Sequence, residues 1–106
     1  MMGKMQRNKG ASEERAIVNL HRELGMARDK ALRVPLSGMA EGYKHDVILN
    51  NYAVECKVRK SGFKQIYDWI EKEPDFLTVR VDRKERLYIL PETTWIKIIK
   101  EAEWIK

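Results

Sequence analysis

The sequence predicts an α/β protein: a single domain with a central mixed β-sheet flanked by helices, in the order α-β-β-β-α-β-β-α. Three segments place apolar residues at helical spacing, and short runs rich in β-branched and aromatic residues, bounded by turn residues, lie between them. A length of 106 residues suits one small domain. We expect residues 1–10 to form a basic flexible arm and residues 11–106 to form the folded domain.

The first helix is expected to begin at Ser12, whose hydroxyl can cap it, and to end at Gly25. Its apolar stripe is expected to comprise Ile17, Leu20 and Leu24. Glu14 lies three residues before Ile17 and therefore falls on the packed side of this helix. Its neighbour Glu13 is rotated away from that side.

The remaining elements are delimited by Gly, Pro, Asn and Asp residues. The expected strands are residues 31–36, 45–50, 51–58, 76–81 and 85–90. The second helix is expected to begin at Ser61 and to end near Pro74, and the third to open at Thr93 or Thr94. The inward residues of the second helix are expected to be Phe63, Ile66, Tyr67 and Ile70.

Asn50 and Asn51 are expected to join the second and third strands in a hairpin. Asparagine tolerates positive φ, so this pair suits a two-residue type I′ turn. With that turn, Asp46 faces Glu55 across the hairpin, and Lys57 lies on the same face two residues further on. Like charges directly opposite each other are destabilising, and a cation between them would convert this cost into a binding site.

The chemistry of these side chains predicts a metal-dependent phosphodiesterase. Carboxylate oxygens from Asp46 and Glu55 favour Mg²⁺ or Mn²⁺ over Zn²⁺, and the two histidines have no cysteine partners at zinc-site spacing. A metal held by two carboxylates can activate a water, and Lys57 can reach that water or a phosphate oxygen. Glu14 joins the site if the first helix packs across the sheet. A solvated hairpin face, with lysines as counter-ions, is the alternative.

Composition favours a polyanionic partner, because 21 basic residues against 16 acidic ones give a net charge of +5. The single cysteine, Cys56, excludes an intrachain disulfide and is expected to be a small core residue. The sequence has no apolar run near the ~20 residues of a membrane span and no secretory signal at its start. We therefore expect an intracellular, cytoplasmic protein.

Four short motifs occur in a fixed order: K-G-A-S-E-E-R at residues 9–15, S-G at 37–38, D-V at 46–47 and E-C-K at 55–57. Together they resemble the motifs of the PD-(D/E)xK nucleases, and more closely those of the archaeal-type Holliday-junction resolvases and their phage relatives. The resemblance covers residues 7–70 and extends more weakly to residue 90. It departs from the family pattern at His45, where the family has a proline before the aspartate.

This resemblance implies a restriction-endonuclease-like fold and a Mg²⁺- or Mn²⁺-dependent endonuclease. It implies that the metal ligands are Glu14, Asp46 and Glu55. It makes Lys57 the catalytic lysine and places Ser37 beside the scissile strand. The residues that it implies as DNA contacts are Arg7, Lys9, Arg15 and Gln65.

The expected function is therefore resolution of four-way DNA junctions, which are nearly two-fold symmetric and are cut twice. Two sites in matching geometry require a homodimer. Large apolar residues favour an interface that contains tryptophan; they are Trp69, Trp95, Ile96, Ile98, Ile99 and Trp104. The alternatives are a nuclease for other branched or nicked DNA and a non-catalytic DNA-binding module.

Overall fold

A computed structural model describes residues 2–34 and 45–106, with no side-chain detail for residues 2–8. The elements are α1 (Met2–Glu23), β1 (Ala31–Arg33), β2 (Val47–Leu49), β3 (Tyr52–Val54), α2 (Lys64–Ile70), β4 (Leu77–Val79), β5 (Leu87–Ile89) and α3 (Glu92–Glu101). Their order and types are those predicted from the sequence. The α/β class is thus confirmed, although every strand is shorter than expected.

The chain divides into two compact units. The first comprises Met1–Val58 together with Glu103–Lys106, and the second comprises Arg59–Ala102. In the first unit β1, β2 and β3 form an antiparallel sheet, and in the second β4 and β5 form an antiparallel pair. The expectation of one central mixed sheet is therefore wrong for the described strands. Short turns join β2 to β3 and β4 to β5, and a short turn permits only antiparallel pairing.

Helix α1 begins at Met2, ten residues before the expected start at Ser12. Residues 2–10 therefore belong to α1. Met, Lys, Gln and Arg dominate this stretch, and all four are good helix formers. At the other end the sequence prediction is confirmed: Gly25 has φ 110° and its N–H donates to the Arg22 carbonyl, while Met26 N–H donates to the His21 carbonyl. These two bonds form a Schellman cap.

The core of the first unit lies where α1 packs on β1 and β2. Its buried apolar residues are Val18, Met26, Ala31, Val47, Leu49 and Ile105. The buried stripe of α1 runs through Val18 and His21, so the expected stripe is displaced by one residue. His21 is tolerated there because its Nδ1 lies 2.7 Å from the Ile17 carbonyl oxygen.

The hairpin of β2 and β3 has the predicted turn and register. Asn50 and Asn51 have φ of 49° and 74°, as a type I′ turn requires. Val47 pairs with Val54, Ile48 with Ala53 and Leu49 with Tyr52. These are the pairs that a two-residue loop at Asn50 and Asn51 predicts.

The second unit buries far less. No residue of α2 is buried, and Ile99 of α3 is the one fully buried side chain among its described residues. Tyr67, expected to point inward, is 62% exposed, and Phe63 occupies the N-cap position that was expected of Ser61. No helix within residues 2–34 and 45–106 is both long enough and apolar enough to cross a bilayer.

Candidate functional site at the end of the first hairpin

Asp46 immediately precedes β2 and is half-buried. Its backbone carbonyl accepts a hydrogen bond of 3.0 Å from Val34 N–H, which fixes it to the strand on one side. Its carboxylate oxygen Oδ2 accepts a hydrogen bond of 2.8 Å from Cys56 N–H on the other side. A hydrogen bond to a carboxylate is roughly twice as strong as a neutral one, so this contact holds Asp46 to the segment after β3.

The predicted direct pairing of Asp46 with Glu55 is not formed. The regular ladder ends at Val47 and Val54, and Asp46 N–H then donates to the Val54 carbonyl at 3.1 Å. This bond breaks the register, because continued pairing would set Asp46 against Glu55. The apolar alternation that predicts the register ends at Val47, so it contains no information about the pairing of Asp46. The two carboxylates still flank the same end of the hairpin.

Glu55 and Lys57 interact as their shared face predicts. Lys57 Nζ lies 3.5 Å from Glu55 Oε2, and the two side chains are 59% and 48% exposed. An ion pair this exposed contributes little to the free energy of unfolding. Both groups therefore remain accessible to solvent and to a ligand.

Glu14 reaches this side of the sheet from α1 but is held by a partner that the sequence did not reveal. Arg33, the last residue of β1, donates to Glu14 Oε1 through Nε at 3.2 Å and Nη2 at 3.0 Å. The Glu14 side chain is only 18% exposed, so the pair is partly shielded from water. The sequence signal that could have indicated this contact is a basic residue, Arg33, at the end of the strand on which α1 packs.

The Cys56 thiol, next to Glu55 in the chain, has a raised pKa. Burial raises its pKa, and the negative charges of Asp46, Glu14, Glu13 and Glu55 raise it further, to about 11. A thiol with this pKa stays protonated at neutral pH and is a poor nucleophile. The charges that raise this pKa include those of all three expected metal ligands, and that of Glu13.

The donor chemistry fits a hard divalent cation better with two protein ligands than with three. Within residues 9–34 and 45–106, no three side chains of the His, Cys, Asp or Glu type are close enough to hold an ion together. The expected triad is therefore not assembled, and Glu14 instead compensates Arg33. Asp46 and Glu55 supply only oxygen donors, and Mg²⁺ commonly uses one or two carboxylates together with water and phosphate oxygens.

The expected DNA contacts are distributed over two elements. Lys9 and Arg15 are exposed on α1, and Gln65 is exposed on α2 in the second unit. The Arg7 side chain and Ser37 lie outside the described residues, as does the motif glycine Gly38.

Comparisons with known proteins add no family assignment. No protein-family model, no curated protein and no solved structure matches this chain.

Proposed function

We propose that this protein is a divalent-metal-dependent DNA endonuclease of the PD-(D/E)xK type that acts on branched DNA, with the four-way junction as its substrate. One observation carries the proposal: Asp46 Oδ2 accepts a hydrogen bond from Cys56 N–H, and Lys57 Nζ lies 3.5 Å from Glu55 Oε2, so two carboxylates and an ammonium group flank one end of the first hairpin. The motif order and the succession α-β-β-β-α support the same reading, as does the net charge of +5. A restriction-endonuclease-like fold is part of this proposal.

Asp46, Glu55 and Lys57 have different proposed roles, which follow from their contacts and their exposure. Asp46 is fixed by Cys56 N–H through Oδ2, which leaves Oδ1 to face a ligand, and exposed Glu55 supplies the second carboxylate. When Mg²⁺ is bound, the chemistry that it supplies is a lower pKa for an attacking water and compensation of negative charge at phosphorus. Lys57, held beside Glu55, orients that water or donates to a non-bridging phosphate oxygen.

DNA binding in this proposal depends mainly on phosphate contacts. Lys9 and Arg15 are exposed on α1, and neither forms an ion pair with the part of the chain that the structure describes. Phosphate contacts position a duplex without reading its bases, which suits an enzyme selective for DNA shape. Arg7 and Gln65 are proposed as further contacts on the basis of the family resemblance.

A homodimer completes the proposal, because two cuts on a nearly two-fold symmetric junction require two sites. Trp69 is 41% exposed on α2 and Phe76 is 49% exposed before β4, so the second unit has large apolar groups available for an interface. Trp104 contributes differently, since its ring stacks on Tyr52 of the same chain at 5.4 Å. Sedimentation with and without junction DNA tests this part, and a 12.5 kDa monomer in both conditions would contradict it.

A non-catalytic DNA-binding module is the second candidate. The ion pair between Glu14 and Arg33 favours it, because this pair removes one expected metal ligand from the site. Such a protein would bind branched DNA through the same basic surface without cleaving it.

The deciding experiment compares junction cleavage by the wild-type chain, Asp46→Asn and Glu55→Gln at saturating protein, with Mg²⁺ present. We expect wild-type cleavage, loss of cleavage in both variants, and unchanged junction affinity. Asp29→Asn, at an exposed position in the turn before β1, is the matched control and should cleave normally. Tight binding without cleavage by the wild type would favour the binding module, and normal cleavage by both site variants would exclude this metal site.

A further inference from the structure

The hairpin of β4 and β5 combines an exposed aromatic ring with arginines at the turn-side ends of its strands. Thr78 pairs with Tyr88, so their side chains lie on the same face. The last pair before the turn joins Val79 to Leu87, and Arg80 and Arg86 are the next residue on each side. Two arginines therefore lie two residues along the chain from Thr78 and Tyr88, at the end of the hairpin nearer the turn.

Within the part of the chain that the structure describes, the arginines and the tyrosine ring have no recorded partner. The Tyr88 ring is 65% exposed, and Arg80 and Arg86 are exposed as well. Neither arginine forms an ion pair or a side-chain hydrogen bond with the described residues, although Asp82 and Glu85 are close in sequence. Residues 76–90 contain four basic residues against two acidic ones.

Such an arrangement is unfavourable without a ligand. Like charges that neighbour each other on a sheet repel, and an exposed ring leaves apolar surface in water. A ligand that carries both an anionic group and a flat aromatic group relieves both costs at once. Nucleotides are of this kind, because phosphates pair with guanidinium groups and bases stack on aromatic rings.

We propose that the β4–β5 hairpin binds unpaired nucleotides of a DNA strand, with phosphates at Arg80 and Arg86 and a base stacked on Tyr88. Intact duplex suits the hairpin less well, because its bases are already stacked inside and offer the ring no partner. Branched DNA offers unstacked nucleotides where its arms meet. The choice of DNA as the polymer rests on the proposed function, but this binding requires neither metal nor cleavage.

The first test measures the affinity of the full chain for a short oligothymidylate without divalent metal, and follows amide NMR signals during the titration. We expect the signals of β4 and β5 to shift and Tyr88→Ala to weaken binding about 5- to 150-fold. Tyr67→Ala is the matched control, because Tyr67 is 62% exposed on α2 and has no such arginine pair beside it. Equal affinity in wild type and Tyr88→Ala, or an equal loss in Tyr67→Ala, would overturn the proposal.

The second test separates charge at this hairpin from charge in general. Replacing both Arg80 and Arg86 by glutamine should lower the salt slope of oligothymidylate binding by about 1.4 units, which corresponds to two single-strand phosphate contacts. Replacing Lys97 and Lys100 of α3 removes the same charge elsewhere and should change the slope far less. An equal change of the salt slope in the two double variants would show that the arginines act only through the net charge of the protein. Because no step uses metal, a failed hairpin and a failed nuclease site give different results.

Discussion

The two hairpins of this protein share a topology but differ in what they bury and in what they expose. In the first, Val47 and Leu49 lie in the core, and Asp46 and Glu55 flank the end remote from the turn. In the second, no strand residue is buried, and arginines follow Tyr88 toward the turn. A hairpin packed on a helix can hold charged groups in fixed positions. A hairpin that buries no strand residue and exposes Tyr88 serves better as a surface that a long polymer covers.

The largest expected effect comes from removing the ammonium group of the first hairpin. Lys57→Ala should lower the rate of junction cleavage by a factor of about 10²–10⁴, because a positioned charge or proton-transfer group contributes in this range. Junction affinity should stay close to that of the wild type. Lys60→Ala removes an exposed lysine nearby and serves as the control in single-turnover cleavage assays. A Lys57→Ala variant that cuts normally at saturating protein would make Lys57 a simple phosphate contact.

A pair of leucines measures the difference in packing between the hairpins. Leu49 is 5% exposed in β2 and Leu87 is 58% exposed in β5. Leu49→Ala should lower the free energy of unfolding by about 2–5 kcal/mol, since it opens a cavity in the core. Leu87→Ala should change it by less than about 0.5 kcal/mol. Denaturant titration of both variants checks this, and similar losses at the two sites would mean that β5 is as well covered as β2.

Two glycines with nearly the same backbone conformation test the anchoring of the chain end. Gly25 and Gly62 have φ of 110° and 111°, which alanine adopts only with strain. A Cβ at Gly25 would lie 2.7 Å from the backbone nitrogen of Lys106, whereas a Cβ at Gly62 meets nothing nearer than 3.8 Å. Gly25→Ala should therefore destabilise by about 1–3 kcal/mol from strain alone, with the contact adding to that. Gly62→Ala should cost only the strain, and equal thermal shifts would show that the Lys106 contact is unimportant.

The smallest expected effect is on the thiol of Cys56. Because the pKa of the thiol is raised in the folded state, the folded thiol keeps a proton that the unfolded thiol loses as pH rises above its ordinary pKa of 9.0. The contribution of this proton to the free energy of unfolding is complete below pH 9.0 and is lost as pH rises through about 11. Among the charged groups, Asp46 raises this pKa the most, and Asp46→Asn removes its charge. Alkylation at mildly alkaline pH should therefore be faster in Asp46→Asn than in the wild type, because the thiolate reacts. Asp82→Asn should leave the rate unchanged, and unchanged rates in both variants would place Asp46 away from the thiol.

The sequence predicted those parts of the fold that local chemistry determines. The asparagine turn, the register beside it, the glycine cap of α1 and the order of elements all follow from backbone preferences of a few neighbouring residues. Tertiary contacts decided the rest. The apolar pattern could not show that Arg33 meets Glu14, because that contact depends on how α1 packs on β1. The loss of register at Asp46 likewise depends on the bond from its N–H to the Val54 carbonyl, eight residues away in sequence.

One of the four inward residues predicted for α2, Tyr67, was predicted wrongly for a related physical reason, whereas Phe63, Ile66 and Ile70 are half-buried. Helical spacing indicates which residues share a face of α2 but not whether anything covers that face. Tyr67 satisfies the spacing and is nonetheless exposed.

The most direct test of the proposed site is paramagnetic broadening of amide signals by Mn²⁺. Low Mn²⁺ concentrations should selectively broaden the amide signals of Asp46 and Cys56 at the end of the first hairpin, and excess Mg²⁺ should restore them. The double variant Asp46→Asn and Glu55→Gln should lose this broadening, while the fold reported by the remaining signals is unchanged. Absence of broadening at this end of the hairpin in the wild type, or the same broadening in the double variant, would contradict a metal site formed by Asp46 and Glu55.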